Sequence, residues 1–218
     1  MSEGGTGLAL VSIQVGTPQS YLAPDDGGAY LSAIDKRPVT GRVHLTSTGL
    51  AGDAVADRRA HGGPEQAMLA YAIEHYARWS TEGLPNLGPG AFGENLTIRG
   101  TDEDHVAVGD RWAIGEAVVE VSKPRTPCNR LAWRHGDPGL IRRVHDTGRS
   151  GWYLRVLQVG WIEVGAEIAR VAHPHPAWTV RRVAQVMANR FSLREDAAEL
   201  AQLPELAADW RYRLAKSA

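Results

Sequence analysis

The sequence predicts a mainly β protein, a barrel or sandwich of short strands, with a small helical piece after it. Three observations carry that expectation. Gly 24 and Pro 12 make 36 of 218 residues, about 17% against about 12% in average usage, so the chain turns often. Up to Ala172 the apolar segments are short and turn residues separate them, without the regular strand–helix alternation of a doubly wound sheet. Beyond Ala172 the apolar spacing becomes helical to the end.

Leu8–Val15 alternates in its second half and reads as the first strand. A Gly/Pro/Asp-rich loop around Pro24–Gly28 follows, then an extended stretch near Ala29–Ile34. Lys36-Arg37-Pro38-Val39-Thr40-Gly41 is held out of regular helix by its proline and glycine. Arg42–Thr46 is a strand candidate, Gly49–Asp53 a turn, and Asp57–Gly63 a polar segment ending in His61-Gly62-Gly63-Pro64. Leu69, Ile73, Tyr76 and Ala77 share one face at helical spacing, which predicts a helix over Gln66–Ser80. Leu96–Ile98, Trp112–Ile114, Val118–Val121, Tyr153–Val159 and Trp161–Val164 read as strands, with a short helix over Pro138–His145 between them.

His173-Pro-His-Pro176 is a stiff connector, because a residue before proline avoids helix. It divides a β domain, 1–172, from a linker and three helices, 173–218. Val180, Val183, Ala184 and Met187 mark the first helix. Ser192-Leu-Arg-Glu195 fits a capping box for the second, and Pro204 suits the first turn of the third. Three helices in so few residues bury little alone, so they are expected to dock on the β domain or on another subunit, in which case a homodimer results.

Lys+Arg 24 against Asp+Glu 25 leaves a net charge of -1, no electrostatic reason to expect nucleic acid or an anionic membrane as partner. Neither a membrane-spanning run nor a signal peptide is expected from the sequence. Cys128 is the one cysteine, so an intrachain disulfide is impossible, and a reducing cytoplasm is the expected location.

Cys128 ends Lys123-Pro-Arg-Thr-Pro-Cys128, where two prolines stiffen the backbone and Lys123 and Arg125 favour thiolate over thiol. The alternative is a small buried hydrophobe. Gly62 and Gly63 permit close approach of backbone to a ligand, or form an ordinary turn. Glu94-Asn95 can position a substrate or satisfy a turn, and Lys36-Arg37 can hold a phosphate or be solvated. No paired CxxC, HExxH, Walker loop or GxGxxG occurs. Residue types also leave open a Cys–His hydrolase built on Cys128 and His61.

These pieces stand in one order: Lys36-Arg37-Pro38-Val39, Gly49-Leu50-Ala51-Gly52-Asp53, His61-Gly62-Gly63-Pro64, Ala91-Phe92-Gly93-Glu94-Asn95-Leu96, Val108-Gly109-Asp110, Pro124–Cys128 and Gly151-Trp152-Tyr153. So ordered, the chain resembles the MOSC domain proteins, named for the C-terminal domain of molybdenum cofactor sulfurases, and in particular the stand-alone bacterial YiiM-type members. Those also end in a small three-helix (3-alpha) domain. The resemblance implies a MOSC-type β-barrel with a few peripheral helices. It implies binding of molybdenum cofactor (Mo-molybdopterin) with Cys128 as metal ligand, and reduction of N-hydroxylated compounds such as 6-N-hydroxylaminopurine or amidoximes.

Soft sulfur suits that metal. Lys36, Arg37 and Arg125 are candidates for the pterin phosphate, with Gly62 and Gly63 beside them and Asp53 also in the binding set. Glu94, Asn95 and His61 join Cys128 as candidate catalytic residues, with Glu94, His61 or Asp53 delivering protons or orienting substrate. The electrons must come from a separate reductase, since the chain holds no flavin or iron–sulfur motif. The alternative is a non-catalytic carrier of the cofactor or of sulfur. Pyridoxal phosphate also goes with the family, but its lysine would have to be Lys36, Lys123 or Lys216, none in a recognisable pyridoxal motif.

Overall fold

The structure, a computed structural model, describes residues 7–25, 27–57 and 61–217. Part of the polar segment at 57–63 and of the loop at 24–28 lies outside the described residues. The strands are β1 (Ala9–Val15), β2 (Gln19–Leu22), β3 (Ala29–Ser32), β4 (Arg37–Pro38), β5 (Val43–Thr46), β6 (Gly49–Leu50), β7 (Met68–Ala72), β8 (Leu96–Arg99), β9 (Arg111–Ile114), β10 (Ala117–Pro124), β11 (Trp152–Gln158), β12 (Gly160–Ile162) and β13 (Ile168–Ala172). The helices are α1 (Glu74–Thr81), α2 (Asn129–His135), α3 (Leu140–Thr147), α4 (Val180–Ala188), α5 (Arg194–Leu200) and α6 (Ala208–Ala215).

Seven strands run in the order β13-β9-β10-β11-β7-β8-β1, with β4 added beyond β1. The ring closes from β1 back to β13. Ala9 bridges Glu167, Ile168 N–H donates to Leu8 at 3.0 Å, and Leu10 N–H donates to Ala166 at 3.0 Å. Closure removes the edges an open sheet would expose. The mainly β barrel expected from the turn-rich sequence is therefore present. Leu10, Ile13, Ile98, Val119, Val121 and Leu154 fill its core, and Trp112 meets Trp152 edge-on with ring centroids 6.0 Å apart.

The expected helix over Gln66–Ser80 is two elements. Met68–Ala72 is β7, paired antiparallel with β11 and parallel with β8, and α1 starts only at Glu74. All five residues of β7 are buried, so the strand is apolar on both faces and shows no alternation. A short run of this kind resembles one turn of buried helix, which produced the Leu69–Ile73 stripe. Helix α2 follows Cys128 directly and was not expected. With α1 and α3 it packs around Tyr71, Trp79 and Phe92 in a second core.

The C-terminal helices dock on the barrel. Val108, from the barrel side, joins the core of the three helices with Trp178, Val183 and Leu214. Helix α4 is capped by Thr179, whose hydroxyl accepts Arg182 N–H at 3.2 Å. The capping box at Ser192 does not form: Leu193 takes the cap position without a side-chain bond, and α5 begins at Arg194. Pro204 sits in a turn, four residues before α6. The connector is pinned on both sides. His173 Nδ1 meets Asp110 at 2.5 Å, and His175 Nε2 meets Glu205 at 2.9 Å. None of the described helices is long and apolar enough to cross a membrane.

Candidate functional site

A cavity of about 610 Å³ opens beside the barrel, between the turn at 49–56, the glycine turn at 61–63 and the segment 125–130. That volume falls in the range of about 300–1,000 Å³ usual for ligand and cofactor sites. Cys128 stands in its wall, half-buried. Strand β10 delivers the chain to Pro124, and Arg125 N–H then donates to Gly151 at 3.0 Å. The prolines carry the backbone on in extended form to Cys128, at φ -120 and ψ 165, immediately before α2.

Burial pushes the Cys128 thiol up, but His61, Arg125 and the Arg130 N–H together outweigh it. His61 hydrogen-bonds the sulfur, Arg125 places a positive charge near it, and Arg130 N–H donates to it, so the thiol is drawn down from 9.0 to about 7. Alkylation of Cys128 by iodoacetamide should therefore rise with pH around a midpoint of about 7. His61→Ala should move that midpoint upward. The depressed thiol adds stability at pH above its unfolded pKa, and that stability is lost as pH falls through about 7.

Asp53 is a hub. Its Oδ1 accepts Lys36 Nζ at 2.5 Å and Gly16 N–H at 2.7 Å, and its Oδ2 accepts Asn95 Nδ2 at 2.8 Å. The ion pair is nearly closed to solvent, with side-chain exposures of 7% and 9%. Lys36 thus reaches the wall but brings its own counter-charge. Asn95 also lines the cavity, and its Oδ1 accepts Leu69 N–H at 3.1 Å, so it braces β7 as well. Arg37 lies on β4, exposed, and lines none of the cavity.

Glu94 lies apart from the other candidate catalytic residues. It is fully buried, lines none of the cavity, and accepts bonds from the Tyr76 hydroxyl, Gly90 N–H, Phe92 N–H and Thr97 Oγ1. Burial first, and the Glu94 carboxylate next, push the Tyr76 phenol far up, so it stays protonated and donates. Glu94 closes the loop 90–94 and stands behind the cavity wall rather than in it.

Arg125 is 7% exposed, lines the cavity, and leaves its Nη1 without a hydrogen-bond partner. A buried guanidinium nitrogen so placed costs free energy unless an acceptor arrives. Arg130, which the sequence reading did not single out because α2 was missed, adds a second cation to the wall and forms no ion pair among the described residues. Gly62 and Gly63 turn at φ +74 and +86, where a side chain is strained, and a Cβ on Gly62 would lie 3.0 Å from Val55. Neither glycine N–H is taken up by a described acceptor. Among the described residues no three His, Cys, Asp or Glu side chains converge on a metal position.

Residues 57–169 match the MOSC domain, and residues 178–216 match the YiiM-like, 3-alpha helix domain. The Bacillus subtilis (strain 168) protein YflK is 39% identical over 160 residues, covering 73% of this chain and 72% of that protein. A Gibberella moniliformis protein named Reductase is 38% identical over 182 residues, 82% of this chain but only 32% of that longer protein. The crystal structure of YiiM from Geobacillus stearothermophilus superposes with a TM-score of 0.82 at 33% identity, covering 96% of this chain and 98% of that one.

Proposed function

Because this chain belongs to the MOSC domain family and ends in the YiiM-like 3-alpha domain, we propose that it binds molybdenum cofactor and reduces N-hydroxylated compounds. The family is associated with that cofactor, and the similarity to a protein named Reductase supports a reductive reaction. The observation that carries the reading is the pairing, in one cavity, of a thiol drawn down to about 7 with a buried guanidinium nitrogen that lacks a partner. The first is a soft donor for the metal; the second is an acceptor-seeking cation for the pterin phosphate.

The residues fit that guest. Cys128 Sγ would hold the metal. Arg125 and Arg130 would hold the phosphate, with Gly62 and Gly63 lining the same cavity. When bound, the cofactor supplies the two electrons that the reaction consumes. The balance is R–NH–OH plus two electrons and two protons giving R–NH2 and water. His61, beside Cys128, would be the group placed to pass a proton to the departing hydroxyl. Asn95, fixed by Asp53 and Leu69, orients what enters. A separate reductase, held on another chain, supplies the electrons.

The test is expression in a host that makes the cofactor, followed by measurement of bound molybdenum and of 6-N-hydroxylaminopurine reduction with an artificial electron donor. Molybdenum near one per chain together with turnover supports the reading. Transfer of the cofactor to another enzyme without turnover supports a carrier instead. The Cys128–His61 contact is also what a thiol hydrolase needs. Acylation of Cys128 with no molybdenum bound would favour that chemistry. Arg125→Met should lower cofactor occupancy by about tenfold or more, the worth of a hydrogen bond to a charged group. Its thermal stability should hold, because the Nη1 has no protein partner to lose.

A further inference from the structure

The C-terminal helices meet the barrel at several places, and one joint, at the start of α6, is wired to two of the segments that build the cavity. Strand β10 breaks register with β11 between Val121 and Lys123, so Ser122 is an extra residue in the ladder. The bulge frees its carbonyl, which accepts Ala207 N–H from the C-terminal helices at 3.0 Å. The fully buried Ser122 hydroxyl donates to the Glu65 carbonyl at 2.6 Å, with the Tyr153 carbonyl 3.2 Å away.

Glu65 is the second half of the joint. Its Oε2 accepts Ala208 N–H, at the start of α6, at 2.9 Å, and its Oε1 pairs with Arg155 at 3.2 Å. Glu65 lies two residues past Gly63, in the turn that presents His61. Ser122 lies at the head of the segment that ends at Cys128. Next to it, Lys123 Nζ reaches Asp209 of α6 at 2.8 Å. One helix start therefore holds the strand that leads to the cysteine and the turn that carries its histidine partner.

We propose, resting on the reading above for the purpose of the cavity, that the three-helix domain is a clamp on the site. In this clamp Ser122 and Glu65 are positioning residues that hold the 61–66 turn, and with it His61, against Cys128. Neither residue touches the guest. They act through where they set the turn.

Ala208→Pro gives a clean cut. The residue opens α6, where proline is tolerated, and Ala207 at φ -53 and ψ 137 already has the backbone that precedes proline. The change deletes one N–H, the one Glu65 uses, and leaves the helix. Backbone amide exchange is measured on the full chain without cofactor. Ala208→Pro and Ser122→Ala should each speed exchange at residues 61–66 by about fivefold, the worth of one net hydrogen bond, with the β1 amides unchanged. Both should shift the His61 imidazole NMR signals. Ser122→Thr, which keeps the hydroxyl, should restore native exchange.

If Ser122→Ala fails to fold, Ala208→Pro alone decides. Native exchange at 61–66 and unshifted His61 signals in a folded Ala208→Pro protein would overturn the clamp. Because no metal enters the measurement, that outcome leaves the molybdenum reading intact, and a protein that binds no molybdenum leaves the clamp intact.

Discussion

Cys128→Ala yields a folded protein that binds no molybdenum and does not reduce 6-N-hydroxylaminopurine above background. Cys128 is the one sulfur in the cavity wall, and among the described residues no other set of side chains converges on a metal. Altering a group that merely orients a ligand already costs about 10–100-fold in metal affinity, so deleting the ligand itself should exceed 100-fold. The fold should survive, because the side chain is half-buried and small. Cys128→Ser separates geometry from softness: it keeps the shape and a hydroxyl but offers a hard donor. Metal analysis of both variants checks this, and molybdenum retained in either removes the ligand assignment.

Glu94→Ala should destabilise the chain by about 3–5 kcal/mol, among the largest single-residue effects in a domain of this size. The carboxylate is fully buried and collects four donors: the Tyr76 hydroxyl, two backbone N–H groups at Gly90 and Phe92, and the Thr97 hydroxyl. Removing it strands those donors away from water, each at about 1–3 kcal/mol, with part recovered by relaxation. Denaturant unfolding measures the loss. Activity per folded, molybdenum-loaded molecule should stay near native. The opposite pattern, native stability with lost turnover, is what a proton-donating Glu94 would give.

The contrast between Glu94 and Cys128 shows what the sequence could reveal. The Cys128 surroundings are local only in part: Arg125 is adjacent in the chain and its effect on the thiol could be read directly, whereas Lys123, expected to act beside it, turns to Asp209 and is not among the groups that draw the thiol down. The His61 contact was legible only as an option, because nothing local says that residue 61 returns to residue 128. Glu94 beside Asn95 looks the same whether it faces a cavity or a closed loop. Its partner Tyr76 arrives from α1, which is placed by tertiary packing. The Lys36–Asp53 pairing bridges a strand and a turn and was equally hidden.

The barrel and the C-terminal helices were legible because their signals are repeated. Turn residues recur between β8, β9, β10 and β11, and apolar residues recur along α4. Strand β7 was illegible because burial on both faces erases periodicity. Helix α2 had one sign that could have exposed it. Gly136, at φ 60, ends it as a left-handed cap, and Leu131 with Ala132 faces the core one turn earlier. Reading that glycine as a helix stop would have brought Arg130 into the candidate set.

The Lys36–Asp53 pair also sets how the cavity meets a charged visitor. With that lysine already matched by its own carboxylate, the described part of the wall greets an incoming dianion with the unspent guanidiniums of Arg125 and Arg130. Capture then draws on a short-ranged field from Arg125 and Arg130, which dissolved salt damps over a Debye length of about 8 Å at physiological ionic strength.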